Sequence, residues 1–434
     1  MRMWACAHVI HLAVNTGSRL DSPFNIGVVV AAAVLILRPT SRRWLCVMLT
    51  AQIADFVAEM PFSPDHWALL AFVNLAILIT MARRRSANLD ALAASFPAVR
   101  VIMLVAYSAS ALAKYNSTFM EPVTSCAGAI ASLASFGLTP RMELGPFWAI
   151  SVMVAETSIP ILLVLPFTRR HGVRVAMIFH FMLSASPGFA VPDFSSALFA
   201  LFLLFLSIED INHVLDRIKR VTDRSSVVRD ARRLPWVTAT LAVLAFGFLG
   251  YLTPAARAIV FTFCLLYLGG MMLGVLLTWR AARTTKAFGR VLWVQVPVIV
   301  LTVLWAASPY LGGRTTGVFT MFSGIRTEGT APNPLLIPTV HLTDWQEDLV
   351  VMESTNDDAI ETAGGGHIGI PLMSLRRMAM DNPDLEVTGD LHGKTVTFGP
   401  RAGQTKFAPL EWWEYKFLLF RPVVIDKTPY CSNS

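Results

Sequence analysis

The sequence predicts a polytopic all-α membrane bundle of about 9–11 helical segments, followed by a small α+β extracytoplasmic C-terminal domain. Three observations predict it. Only 15% of the 434 residues are charged and the mean hydropathy is +0.55, whereas soluble domains carry about 25% charge. Apolar runs separated by short polar loops recur from residue 23 to residue 310. Beyond residue 310 that pattern gives way to turn signals and short β-like stretches. The expected organisation is a transmembrane helical domain over residues 1–310 and an extracytoplasmic domain over 311–434.

The expected spans are 4–16, 23–38, 44–60, 66–82, 98–114, 146–165, 172–187, 193–208, 236–253, 255–278 and 290–310. A helix in lipid must be apolar around its whole circumference and must bond its backbone internally, which a soluble amphipathic helix need not. The first stretch follows Arg2 and lacks a clear cleavage site, so it reads as a short span or an interfacial helix rather than a signal peptide. Segments 172–187 and 193–208 are short and joined by Ser186-Pro187-Gly188, giving two tilted spans or a broken pair.

Loop charge sets the expected orientation. Twenty-one Lys and Arg fall in one alternating set of loops: Arg38 to Arg43, Arg83 to Arg100, Arg169 to Arg174, Arg217 to Arg233 and Arg280 to Arg290. The opposite set holds few, Arg141 and Arg257 among them. The positive-inside rule puts the first set in the cytoplasm. Loop 117–145 and the tail then lie outside, on the non-cytoplasmic side of a plasma (inner) membrane in a bacterium. The net charge of +7 is explained by these loops, so nucleic acid is not an expected partner; the lipid bilayer is.

In the tail, Pro332-Asn333-Pro334 and Gly364-Gly365-Gly366 are turn signals, Leu349-Val350-Val351 and Thr395-Val396-Thr397-Phe398 read as strands, and 371–381 and 411–421 have helical spacing.

Several residues invite chemistry. Lys114 ends an apolar span in Ala111-Leu112-Ala113-Lys114-Tyr115-Asn116. It either snorkels to the interface or is a buried amine usable as a base. Glu156 sits within the following span ahead of Pro160, where a carboxylate is protonated or paired. His180, in Phe179-His180-Phe181, is either a hydrogen-bonded bundle residue or part of a site. Asp193 and Arg141 read as interfacial charges. His341, His367 and His392 lack metal-ligand spacing, so no metal is predicted. Gly364-Gly365-Gly366-His367 lacks the strand–glycine–helix context of a phosphate loop. Cys126 and Cys431 both fall on the oxidising side by the charge rule, and a Cys126–Cys431 disulfide is expected there.

Ala113-Lys114-Tyr115-Asn116-Ser117-Thr118-Phe119 followed by Ser125-Cys126 resembles the HTTM (horizontally transferred transmembrane) domain family, relatives of vitamin K-dependent gamma-carboxylase. So do Glu156…Pro160…Thr168-Arg169-Arg170, Phe179-His180-Phe181, the Phe194–Phe205 span, Met321 to Gly329, and Lys416 to Pro422. The resemblance covers roughly residues 95–425, and the bacterial group of that family is the better match. It implies a reduced quinone (menaquinol or vitamin K hydroquinone) as cofactor, with Lys114 in the place of the lysine that deprotonates the hydroquinone, and His180 and Glu156 nearby. The sequence departs from the carboxylase at Ala113, where a second lysine is usual, and at Asn116, Thr118 and Phe119, where acidic residues and Trp are usual. Two function classes follow: a quinol-dependent oxygenase or carboxylase-like enzyme, or a non-catalytic membrane scaffold or envelope-biogenesis factor whose outer domain binds a protein partner. A transporter is disfavoured because no repeated halves are seen.

Overall fold

A computed structural model describes the chain apart from residues 15–21, 85–89, 187–190, 217–253, 277–287, 358–367, 401–405 and 426–434, and the isolated positions 123, 136, 137, 139, 140, 208, 213–215, 330 and 331. The expected span 236–253 lies outside the described residues, as do His367 and Cys431.

The fold is mostly helical with a small antiparallel sheet in the C-terminal region. Five helices among the described residues are long and apolar enough to cross a membrane: Asp65–Arg83, Asp90–Ala113, Leu144–Val164, Ala258–Leu276 and Trp293–Leu311. Pro23–Leu37 and Pro192–Phe205 are apolar but shorter. The helices Arg42–Glu59 and Arg169–Ala185 fall at expected spans but carry several charges each. Local chemistry sets the starts. Pro23 and Pro192 occupy the first helical turn, where a missing N–H costs nothing. Ser22 caps the first of these helices by accepting from Phe24 N at 3.2 Å.

The chain divides into two compact units. The first gathers Met1–Ala58, Leu69–Val105 and Val154–Thr302. Its N-terminal helix, Arg2–Val14, packs against Pro192–Phe202 and Pro23–Leu37 and is largely buried, so in this unit it is an interior helix rather than an interfacial one. A closed polar network explains how it buries His8. Trp4 Nε1 donates to Asn74 Oδ1 at 2.8 Å, and Asn74 Nδ2 reaches His8 Nε2 and Gln52 Oε1, each at 2.9 Å. Buried polar groups are tolerated when paired this way. Arg169, counted above among topology charges, donates to the carbonyls of Leu163 and Val164 at 2.9 and 3.1 Å. A guanidinium there meets the orphan carbonyls and the negative dipole end of helix Arg141–Val164.

The second unit gathers Glu59–Ala68, Ala106–Met153 and Val303–Ser434. Its sheet has strands β1 (Leu349–Thr355), β2 (Ile368–Pro371), β3 (Val387–Leu391), β4 (Lys394–Phe398) and β5 (Val423–Val424), all antiparallel in the order β4-β3-β1-β2-β5. Alternate residues Val350 and Met352 of β1 point inward and pack with Ile368, Ile370, Val387, Phe398 and Leu375 of helix Leu372–Asp381. The period of two follows from strand geometry.

Three local expectations differ from the structure. Loop 117–145 contains helices Ser117–Met120 and Cys126–Ala134; the latter, rich in Ala, is a good helix former but too short to read as a span. The 411–421 segment is helical only over Trp412–Phe417. Beyond it the backbone is recruited elsewhere: Leu419 O accepts from Thr315 N and Thr316 N, and Arg421 N donates to Thr315 Oγ1. The two strands read from the tail become five.

Candidate functional site

Lys114 lies in the turn after helix Phe96–Ala113 and is only 4% exposed. It does not snorkel to solvent. Its Nζ lies 3.4 Å from Ser110 O, 3.3 Å from Ser110 Oγ and 3.3 Å from Met321 O. The last contact crosses 207 residues of sequence and ties the end of a membrane-length helix to the segment that follows the last one.

The surroundings explain why the turn holds this shape. Asn116 caps helix Ser117–Met120, its Oδ1 accepting from Phe119 N at 2.8 Å. Its Nδ2 donates to Ala113 O and Ser323 O at 2.7 and 2.8 Å. Asn333 completes the frame: its Nδ2 donates to Thr118 Oγ1 and Gly324 O, and its Oδ1 accepts from Arg326 N. Two side-chain amides thus hold residues 113–119 against 323–326 and Asn333.

The backbone facing Lys114 is strained. Phe319 and Phe322 have φ of 60° and 52°, a left-handed conformation costly for bulky side chains. They flank Thr320-Met321, whose second carbonyl meets Lys114. Thr320 N is anchored by Asp65 Oδ2 at 3.0 Å, and Ser323 Oγ donates to Thr320 O. Phe322 is further pinned by packing on the cluster of Phe119, Cys126, Ala127, Ala149 and Met153.

A second buried cation lies in the same unit. Arg314 donates to Pro61 O and Thr316 O, each at 2.8 Å, and to Phe417 O at 3.3 Å, and its guanidinium sits 4.5 Å from the Trp305 ring centre. Burial pulls it down from the usual arginine range to about 10, Asp65 partly opposing this. At neutral pH it stays charged and serves as a carbonyl clamp.

The other expected site residues are placed elsewhere. Glu156 and His180 belong to the first unit and Lys114 to the second. Glu156 is buried in the middle of helix Arg141–Val164. His180 is buried among aromatic rings, with centroids of Phe179, Phe194 and Phe202 at 5.3, 5.7 and 5.8 Å, and its backbone carbonyl accepts from Ser195 Oγ. Asp193, read as an interfacial charge, is buried with Oδ2 3.4 Å from His11 Nδ1. His341 and His392 each face a carboxylate of their own, Glu347 at 2.9 Å and Asp348 at 2.8 Å. Cys126 is buried; the free thiols among the described residues are Cys6, Cys46 and Cys264. Its pairing with Cys431, which lies outside the described residues, stays a proposal.

Sequence reasoning singled out Lys114 but missed Asn333, Asp65 and Arg314, the buried polar residues that hold other backbone segments of the same unit. Pro332-Asn333-Pro334 gave a signal: prolines on both sides hold Asn333 out of a helix. No protein-family model, no curated protein and no solved structure matches the chain.

Proposed function

We propose that the chain is a multi-pass membrane protein whose loop 117–145 and tail beyond residue 310 lie on the non-cytoplasmic side, with Lys114 at the end of the span that leads into that loop. The observation that carries this is helix Ala258–Leu276, apolar on both faces. Val260, Cys264 and Leu268 form its buried stripe, while Ile259, Phe263, Leu266 and Leu273 form an exposed one, Leu266 at 71%. A stripe of large apolar side chains at helical spacing facing outward suits lipid and not water. Alkaline carbonate washing tests it: the protein is expected to stay in the pellet, and release into the supernatant would refute it.

Within this frame, the reading favoured by the bonding at Lys114 is a scaffold or envelope-biogenesis role. The amine's contacts with Ser110 and Met321 use protein oxygens and rivet the tail to a helix end, as a structural cation does. The enzyme reading rests on the HTTM resemblance, and the strained backbone at Phe319 and Phe322 supports it, since strain concentrates at functional sites. In that reading a reduced quinone would be the group oxidised, with oxygen as the oxidant. The chain's own share is the Lys114 amine as acceptor of a phenolic proton, beside the apolar cluster of Ala113, Tyr310, Ile325 and Ile337. His180 and Glu156 remain proposed partners by resemblance.

One assay separates the two. Purified protein in nanodiscs is given menaquinol or vitamin K hydroquinone, oxygen and labelled bicarbonate. Quinone epoxide formed by wild type and lost in Lys114→Ala supports the enzyme; labelled carbon in a peptide extends it to carboxylation. Wild type and variant both matching a protein-free blank removes the enzyme reading and directs the search to protein partners of the outer unit. Non-reducing peptide mapping tests the Cys126–Cys431 bond, which recovery of both residues as free thiols would exclude.

A further inference from the structure

The segment 332–343 of the second unit, Pro-Asn-Pro-Leu-Leu-Ile-Pro-Thr-Val-His-Leu-Thr, contains no Lys, Arg, Asp or Glu. It forms no helix or long strand, yet its backbone is fixed. Leu335 N donates to Tyr115 O, just past the end of helix Asp90–Ala113. Val340 N donates to Tyr310 O and Leu342 N to Leu311 O, at the end of helix Trp293–Leu311. Thr343 Oγ1 and Gln346 Nε2 continue the seam, donating to Gly312 O and to the carbonyls of Pro309 and Gly313. The segment therefore runs between the C-terminal ends of two membrane-length helices.

Four of its large side chains point away from the protein, while Ile337 packs on Ala113, Tyr310 and Ile325. Leu335, Leu336, Val340 and Leu342 are 62%, 57%, 54% and 69% exposed. Next to the seam, Trp345 packs on Trp413 with ring centres 5.9 Å apart, and Trp412 and Trp413 are themselves exposed. Four outward aliphatics within eight residues are costly in water. Tryptophans beside the ends of spanning helices are the composition of a membrane–water interface.

We propose that segment 335–342, with Trp412 and Trp413, is an interfacial lipid-contact surface that seats the second unit on the outer leaflet. This rests on the membrane reading above. The occupant is phospholipid at the glycerol and upper acyl level: the segment holds no Lys, Arg, Asp or Glu, so acyl burial rather than headgroup charge holds it, and its backbone is bonded to the points where two spans end. The surface fixes the height of the Lys114 turn, because Leu335 is bonded to the residue following Lys114.

The test uses the full-length protein in phosphatidylethanolamine–phosphatidylglycerol vesicles, with photoreactive p-benzoylphenylalanine placed in turn at positions 336, 342 and 266, and at 394 on the exposed end of β4. Lipid adducts are read by mass spectrometry. Positions 336 and 342 are expected to give lipid adducts within about threefold of the yield at 266, and position 394 at least about tenfold less. Lipid adducts at 266 but not at 336 and 342 would overturn the interfacial surface while leaving the membrane reading standing. A cross-linked dimer at 342 in place of lipid would overturn it in favour of a second copy as occupant. No lipid adduct at any position would overturn both.

Discussion

The side-chain amide of Asn333 donates to Thr118 Oγ1 at 2.8 Å, joining positions 215 residues apart. Together with Asn116, whose backbone N–H donates to Lys114 O at 2.9 Å, it frames the turn that carries Lys114.

Removing that frame has a measurable cost. Asn333→Ala strands Thr118 Oγ1, Gly324 O and Arg326 N, all partners of the buried amide. Left without partners, such groups cost about 1–3 kcal/mol each, with partial relief from water. The expected loss is about 2–4 kcal/mol, seen as a lowered melting temperature in detergent and as faster hydrogen exchange over residues 323–333. A melting temperature equal to wild type would show that the amide frame is dispensable.

Helix packing in the first unit predicts opposite effects at two helical glycines. A Cβ at Gly172 would come within 2.9–3.0 Å of Leu162 Cβ and of the backbone at Leu162 and Leu163, whereas one at Gly270 meets nothing within 4 Å. Gly172→Ala is expected to destabilise by about 1–3 kcal/mol through overpacking. Gly270→Ala is expected to be neutral or to stabilise by up to about 1 kcal/mol through helix propensity. Equal effects of the two substitutions on thermal unfolding would contradict the close approach at Gly172.

The second unit carries an alkaline-sensitive contact. Tyr415 donates to Asp381 Oδ1 at 2.7 Å. That hydrogen bond, with some help from burial, raises the tyrosine above its usual value near 10. A group whose folded value is raised contributes stability that is fully present below the unfolded value and is lost as pH climbs through the folded one. Stability of wild type relative to Tyr415→Phe is therefore expected to be constant from neutral pH to about pH 10 and to shrink above it. A difference that is instead lost on acidification below neutrality, with none lost above pH 10, would assign the contact to another group.

How much of this was legible in the sequence varied with the range of the interaction. Membrane-length helices were readable from composition, since an apolar run declares itself without reference to partners. Lys114 was readable because a charge at the end of such a run is conspicuous. Asn333 was not, because its partner is more than 200 residues away and its two prolines read only as a turn. The left-handed backbone at Phe322 had no signal at all: phenylalanine is disfavoured there, and tertiary packing on Phe119 and Met153 accompanies it. Strand β2 was hidden for a different reason. It is only four residues long and contains Gly369, into which a Cβ would bring contact with Ile425. Arg169 was read as a topology marker; its bonds to the carbonyls of Leu163 and Val164 at a helix end leave no trace in a count of loop charges.

The central claim is that the chain crosses a membrane with its sheet-bearing unit outside. The most direct measurement modifies native lysines in intact cells with a membrane-impermeant amine reagent and maps the products by mass spectrometry. Lys394, exposed on β4, is expected to be modified without lysis, and Lys219 and Lys286, in the expected cytoplasmic loops, only after it. Modification of Lys219 and Lys286 in intact cells while Lys394 stays protected would reverse the orientation and contradict the account.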